Sequence, residues 1–249
     1  DDDSETSSWT QFNSGNVAFG VDTSNPSCTL SGITESSSYA YVSGSTIYYN
    51  STSTGSFTVA VTSADDQSGI EKVAFPATVS PGTDDTSSPY SLEYAWLTDD
   101  TYSSTDNIVC TNNAGSTANA SLTVTLDTTS PATGSITYTN GWYTAATVSL
   151  TADDGTDAGS GINTSSRTIQ RQSATLSNGI CSSYGEWATI TPTGTYPNYT
   201  DSTVLTGYCY KYRYSISDNV SNTTIYTNEN VVKVDTSSPS CTLSSITES

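Results

Sequence analysis

No histidine occurs in the 249 residues, so the chain has no imidazole general base, no Ser-His-Asp or Cys-His arrangement and no His-bearing zinc site. Most hydrolase mechanisms go with it. GSG at Gly159–Gly161 is too short to cradle phosphate, and the Glu residues do not recur at matching repeat positions, as a repeated glycosidase carboxylate pair would require. We therefore expect no enzyme. Basic residues are almost as scarce: six Lys and Arg against twenty-five Asp and Glu give a formal net charge of −19. That charge repels nucleic acid and anionic membranes and concentrates cations. There is no apolar run long enough to span a bilayer and no basic-then-apolar leader, so no membrane insertion is expected within these residues. Methionine is absent too, and we read the chain as a window on a longer one.

What is abundant is Ser and Thr, about a third of the chain, with seventeen Tyr. This bias suits short strands and polar turns rather than helices. Low hydrophobicity with high charge also fits disorder, but strand alternation argues against it. In CYKYRYSISD (Cys209–Asp218), the residues Tyr210, Tyr212, Tyr214 and Ile216 share one face, and Cys209, Lys211, Arg213, Ser215 and Ser217 the other. The same period of two runs through GSFTVAVTSA, EKVAFPA, SLEYAWLT, ASLTVTLD, ATVSLTAD and NVVKVD. YTNGWY (Tyr138–Tyr143) places Asn-Gly between two such runs and predicts a hairpin. Many short strands without helical periodicity predict an all-β fold of tandem immunoglobulin-like antiparallel sandwiches.

The chain also repeats itself. VDTSNPSCTLSGITES at Val21–Ser36 returns as VDTSSPSCTLSSITES at Val234–Ser249, an offset of 213 residues, and LDTTSP at Leu126–Pro131 is a third copy of the core. The expected units are residues 1–20 (a leader, the tail of a preceding module or a donor strand), module one (21–126), module two (127–233) and the first strand of a further repeat (234–249). GNVAFG at Gly15–Gly20 reads as a strand without a module of its own, able to complement an identical chain. FTVAVTSADDQSGI aligns with ATVSLTADDGTDAGSGI, and VCTNNAGSTANASLTVTLDTTSP with YSISDNVSNTTIYTNENVVKVDTSSP.

In these residues the chain resembles the bacterial Ig-like repeats of very large secreted and surface proteins, in which a VDTTAP-type linker, a D…SG turn and a DNxGN-type turn recur. Here DNVSN carries Ser221 where such repeats usually have Gly, and TNNAGS of module one has no Asp. The resemblance implies a surface stalk or adhesin whose modules contact their neighbours.

Period and folding unit also organise the five cysteines. Cys241 repeats Cys28, and the other four allow three connectivities or free thiols. Pairing within each module gives Cys28–Cys110 and Cys181–Cys209. Cys209 lies on the Lys/Arg face, so its bridge is expected to pin SNGICSSYGEW over the outer surface. Disulfides imply an extracellular or cell-surface location.

Sandwich topology returns the linker, B–C and F–G loops to one pole. Module two is thereby expected to gather Asp127, Asp153, Asp154, Asp157, Asp218 and Asn219, and module one Asp22, Asp65, Asp66 and Asn112, with Asp235 opening the next repeat. Converging carboxylates without a nearby cation repel one another, and an oxygen-rich flexible set is calcium chemistry, with turn formation and solubility as the alternative role. Calcium is the expected cofactor. The alternative function is a glycan- or protein-receptor-binding surface built on Trp142, Trp187 and Tyr-rich loops. Sequons mark Asn50, Asn119, Asn163, Asn198 and Asn222 as possible glycosylation sites, and Asn219 fits one as well.

Overall fold

A computed structural model describes residues 20–242. The expected donor strand lies outside them save for Gly20, as do residues 243–249. The described residues form strands and turns only, in two β-sandwiches of immunoglobulin-like type, each with its own core.

In module one, β1 (Thr29–Glu35), β4 (Gly55–Thr62) and β7 (Tyr90–Trp96) make one sheet in the order β1-β4-β7. The facing sheet runs β2 (Ala40–Ser43), β3 (Thr46–Tyr49), β9 (Thr117–Leu126), β8 (Ser104–Asn112), β5 (Ile70–Ala74) and β6 (Asp84–Asp85). Alternation sends Phe57, Val59 and Val61 of β4 inward against Tyr94 and Trp96 of β7, and against Ile108, Leu122 and Val124 of the other sheet.

Module two has a four-stranded sheet of β10 (Ser135–Thr137), β12 (Val148–Asp153), β17 (Asn198–Asp201) and β16 (Thr193–Thr195). The larger sheet runs β11 (Gly141–Tyr143), β20 (Val232–Val234), β18 (Tyr208–Asp218), β13 (Ile162–Ser177) and β14 (Ile180–Cys181). Two further strands join it, β15 (Ala188–Ile190) on β13 and β19 (Thr223–Thr227) on β18. The burial of β18 alternates as its sequence does, with Tyr212, Tyr214 and Ile216 fully buried. In each module the last strand pairs in parallel with an early one, β9 with β3 and β20 with β11. The residue after it then donates its N–H back: Asp127 to Tyr49 O at 2.8 Å, and Asp235 to Tyr143 O at 3.0 Å. Val234, placed by the repeat boundary at the head of the next unit, closes β20.

The Asn140–Gly141 hairpin does not form. Gly141 takes φ 121°, but β10 pairs with β12 and β11 with β20, so the chain crosses from one sheet to the other there. Partners on the far side hold the crossing: Asn140 Oδ1 accepts Val231 N–H at 2.7 Å, and the Tyr138 hydroxyl donates to Asn230 O at 2.7 Å.

Both intramodular disulfides are present. Cys28–Cys110 joins the start of β1 to the buried face of β8 and so bridges the sheets. Cys181–Cys209 lies on the outer face of the larger sheet and straps residues 178–187 across it. Lys233 sits 5.5 Å over the Trp142 ring, Lys211 5.4 Å over Tyr184 and Arg213 4.6 Å over Trp187, a ladder that seats the strap.

With sequence separations of 82 and 28, the bridges restrict the unfolded chain by about 4.5 and about 3.6 kcal/mol in the chain-entropy picture. Replacing both Cys28 and Cys110 by Ser is therefore expected to cost module one more than the Cys181/Cys209 pair costs module two, as read by denaturant unfolding. Only the second change is expected to shift Trp187 fluorescence before global unfolding, because only that bridge pins the strap.

Candidate metal centre at the module junction

Three of the six residues expected at the pole of module two converge. Asp127 leaves β9 as the linker, Asp157 lies in the loop after β12, and Asp218 ends β18. One oxygen from each of these carboxylates lies within 4.8 Å of the other two. Asp127 and Asp218 are buried, at 4% and 0% exposure. Backbone donors fix all three. Asp157 Oδ1 accepts Gly159 N–H and Gly161 N–H (3.1 and 2.8 Å), Asp127 Oδ2 accepts Ser160 N–H (2.7 Å), and Asp218 Oδ1 accepts Val220 N–H and Asn222 N–H (2.9 and 2.8 Å).

The other expected ligands go elsewhere. Asp153 is exposed and accepts Gly155 N–H, while Asp154 turns under the sheet to a bidentate pair with Arg167 and the Tyr214 hydroxyl. A guanidinium answers Asp154, so it has no call on a metal. Asn219 presents its amide as a donor to Ser160 O and Gly161 O. In module one Asp22, Asp65 and Asn112 meet, Asp66 is exposed, and Asp235 is exposed and turned to Ser237. The residues missed from sequence are Ser160, and Asp201 with its Arg171 and Tyr212 partners. Arg167 and Arg171, four apart on β13, were the available signal for two buried pairs.

No positive side chain serves the triad. All six basic residues are engaged elsewhere: Lys72 on Asp84, Arg167 on Asp154, Arg171 on Asp201, Lys211 on Glu229, Lys233 on Gly179 O, and Arg213 on Gln170. The Ser160 hydroxyl, on the residue whose N–H binds Asp127, is buried and completes no hydrogen bond. Oxygens each 2.3–2.6 Å from one ion lie at most about 5 Å apart, so three carboxylates with a spare hydroxyl fit calcium, with water completing the shell.

The triad sits where the modules touch. Asn222 Nδ2 donates to Asp127 O (3.0 Å), Asn50 Nδ2 to Val220 O and Asn222 Oδ1 (3.1 and 2.7 Å), and Ser221 Oγ to Ser38 O (2.8 Å). Ser221 holds φ 72°, a region that favours glycine, and Gly115 occupies the matching turn of module one at φ 88°. The serine hydroxyl that reaches Ser38 is what a glycine would lose. Two of the expected glycosylation sites are consumed by this joint: Asn50 is 1% exposed and Asn222 binds Asp127 and Asp218. Asn119 and Asn198 are exposed and Asn163 is half-buried.

Burial pushes the Asp218 carboxyl up, against hydrogen bonds from Asn222 and Val220, and the Asp127 charge adds to the rise. Burial also penalises Asp127, Asp154 and Asp201, but their donors prevail: Ser160 and Thr129 at Asp127, Arg167 and Tyr214 at Asp154, Thr203 and Arg171 at Asp201. All three are held below the ordinary value. The signs separate about the unfolded carboxylate pKa of about 3.9. Below it, the three depressed groups make stability rise with pH. Above it, the folded chain holds the Asp218 proton more tightly than the unfolded chain does, so stability falls as pH climbs through the raised Asp218 value. Calorimetric melts in chelator across pH 3 to 8 are expected to show this maximum, and Asp218→Asn is expected to remove the fall on its alkaline side.

No protein-family model matches the chain, and no curated protein matches it. Among solved structures it is similar to the fibronectin(III)-like modules of Clostridium thermocellum CbhA, at 14% identity and a TM-score of 0.33, over 82% of this chain and 94% of that one. It is also similar to the N-terminal Ig1-2 module of the Drosophila receptor protein tyrosine phosphatase DLAR, at 13% identity and a TM-score of 0.28, over 85% of this chain and 100% of that one.

Proposed function

We propose that the chain is an extracellular structural repeat, part of a stalk or filament of Ig-like modules serving cell-surface adhesion, in which calcium stiffens the joint between modules one and two. The observation that carries this reading is the position of Asp127. Its N–H belongs to module one through Tyr49, and its carboxylate belongs to module two through Ser160 and the Asp157–Asp218 pair. An ion held by all three carboxylates ties the linker to two loops of module two, one of which, the turn after β18, bears on Ser38 and Asn50, and so opposes bending at the joint. It also cancels the mutual repulsion that a low-dielectric site would amplify. Disulfides and an Ig-like fold accord with an oxidising exterior.

A specific observation also favours the binding reading. Trp142 is 58% exposed, packed beside Gly179 and followed in the strap by Ile180 at 73%, apolar surface on the outer face of module two on which a sugar ring could stack. Retention of the chain on a glycan array, lost in Trp142→Ala, is the outcome that reading requires; a pure spacer retains nothing.

Calcium at a hundredfold excess over Kd stabilises by about 2.7 kcal/mol, which for a module of this size raises Tm by about 10 °C or more. Melting and small-angle scattering of the full chain with calcium and with chelator are expected to show that rise and a narrower spread of maximum dimension. Asp157→Asn is expected to abolish both responses. Unchanged melting and scattering in the wild type would return the aspartates to turn formation.

A further inference from the structure

The two modules build the same pocket from corresponding residues. Asn113 N–H bonds Gly69 O at 3.1 Å, and Asn219 N–H bonds Gly161 O at 3.0 Å, which aligns the F–G turns. Asp22 then corresponds to Asp127, Asp65 to Asp157, Ser68 to Ser160 and Asn112 to Asp218. Asn112 Oδ1 accepts Ala114 N–H and Ser116 N–H at 3.1 and 2.8 Å, as Asp218 Oδ1 accepts Val220 N–H and Asn222 N–H. Those two bonds settle which end of the Asn112 amide is which. Its Nδ2 must face the pocket, where it donates to Asp22 Oδ2 at 2.7 Å and Asp65 Oδ2 at 3.3 Å.

The exchange of Asn112 for Asp218 therefore turns one inward-facing atom from a donor into an anionic acceptor. Module one is complete without an ion. The amide bridges its two carboxylates, the Ser68 hydroxyl donates to Asp22, and Ser24 Oγ supplies a further contact to Asp65 at 3.2 Å. Module two holds a third carboxylate in that place, whose Oδ2 accepts Asn222 Nδ2 at 2.7 Å, where module one has Ser116. Among the described residues no donor reaches Asp157 Oδ2, and the Ser160 hydroxyl, whose counterpart Ser68 is satisfied by Asp22, is left buried and unpartnered.

We infer that the residue at 112 in module one and 218 in module two selects how the carboxylates of each pocket are answered, by hydrogen bonds from an internal amide in module one and by a bound divalent cation in module two, so that this chain binds one cation and not two. The inference rests on the calcium reading of module two. It makes Asn112 the specificity-determining residue of the pair, because the rest of the pocket, Asp22, Asp65 and Ser68, is already that of a cation site.

The test is isothermal titration of the full chain with calcium chloride in chelator-treated buffer, on wild type, Asn112→Asp, and a double variant with Asp218→Asn and Asn222→Ser that copies Asn112 and Ser116 into module two. Expected stoichiometries are one, two and zero. A wild-type stoichiometry of two overturns the inference, and so does an Asn112→Asp chain that stays at one while its circular dichroism matches wild type. Retained binding in the double variant overturns it independently, even where Asn112→Asp does not fold. A wild-type value of zero overturns the calcium reading itself, an outcome separate from the other three.

Discussion

A carboxylate taken out of water must be answered by a donor, a cation or a proton, and much of the architecture follows from how each buried aspartate is answered. The chain has twenty-five acidic residues and six basic ones, so the positive charges cannot serve all of them. Module two places Arg167 and Arg171 on two of its four buried acids, Asp154 and Asp201, and closes each pair with a tyrosine hydroxyl from β18. The abundance of tyrosine is thereby explained. A tyrosine core buries as much apolar area as phenylalanine, and each hydroxyl that has a partner also fixes the register of the strand that carries it. Tyr138, Tyr212 and Tyr214 all do so, with hydroxyls directed to Asn228 and Asn230 carbonyls, Asp201 and Asp154.

With the arginines committed inside, the linker acid must be satisfied otherwise, and where module one sets the Asn112 amide against Asp22 and Asp65, module two sets the Asp218 carboxylate, itself held by Asn222. Asn112 and Asp218 are isosteric and hold the same turn through the same oxygen, so folding of the loop is indifferent to the exchange. The pocket is not indifferent, because the second atom of the group faces two carboxylates. A substitution neutral for the backbone thus decides the electrostatics of the joint.

Alternation made the strands legible: β4, β9, β12 and β18 lie where period-two runs placed them, with the inward faces those runs named. Module-wise pairing of the cysteines was legible because each bridge closes within one folding unit. The Asn140–Gly141 crossing was not, since a hairpin and a sheet switch use the same local turn and differ only in partners some ninety residues away, among them Val231 and Asn230. The acidic loop was legible as a group but not member by member. In the run Asp153, Asp154, Asp157, strand alternation continues through β12 and turns Asp154 inward to Arg167, leaving Asp153 in solvent, and only the looping chain beyond brings Asp157 to the pole. Sequons at Asn50 and Asn222 could not reveal that both side chains are spent across the joint.

What a repeating array of such modules transmits depends on how each pocket is closed. In the pocket closed by an amide the Asn112 donor neither titrates nor gives way to an ion, and its neighbours hold the Asp22 and Asp65 carboxyls below the ordinary value, so its bonds persist while both stay ionised. A pocket closed by three carboxylates takes its geometry from what fills it. Around Asp127 the two regimes meet at a boundary where Asn50, Ser221 and Asn222 make polar contacts beside the buried Val220, and where the two hydrophobic cores of the described residues stay separate. Polar contacts of that kind contribute about 1 kcal/mol each, so neutralising the triad, which acts on three fixed charges at once, is the larger lever on the joint. On the proposed reading, stiffness resides in the linker aspartate and not in the sandwiches, which are already rigid by core and disulfide, and the external cation concentration sets it.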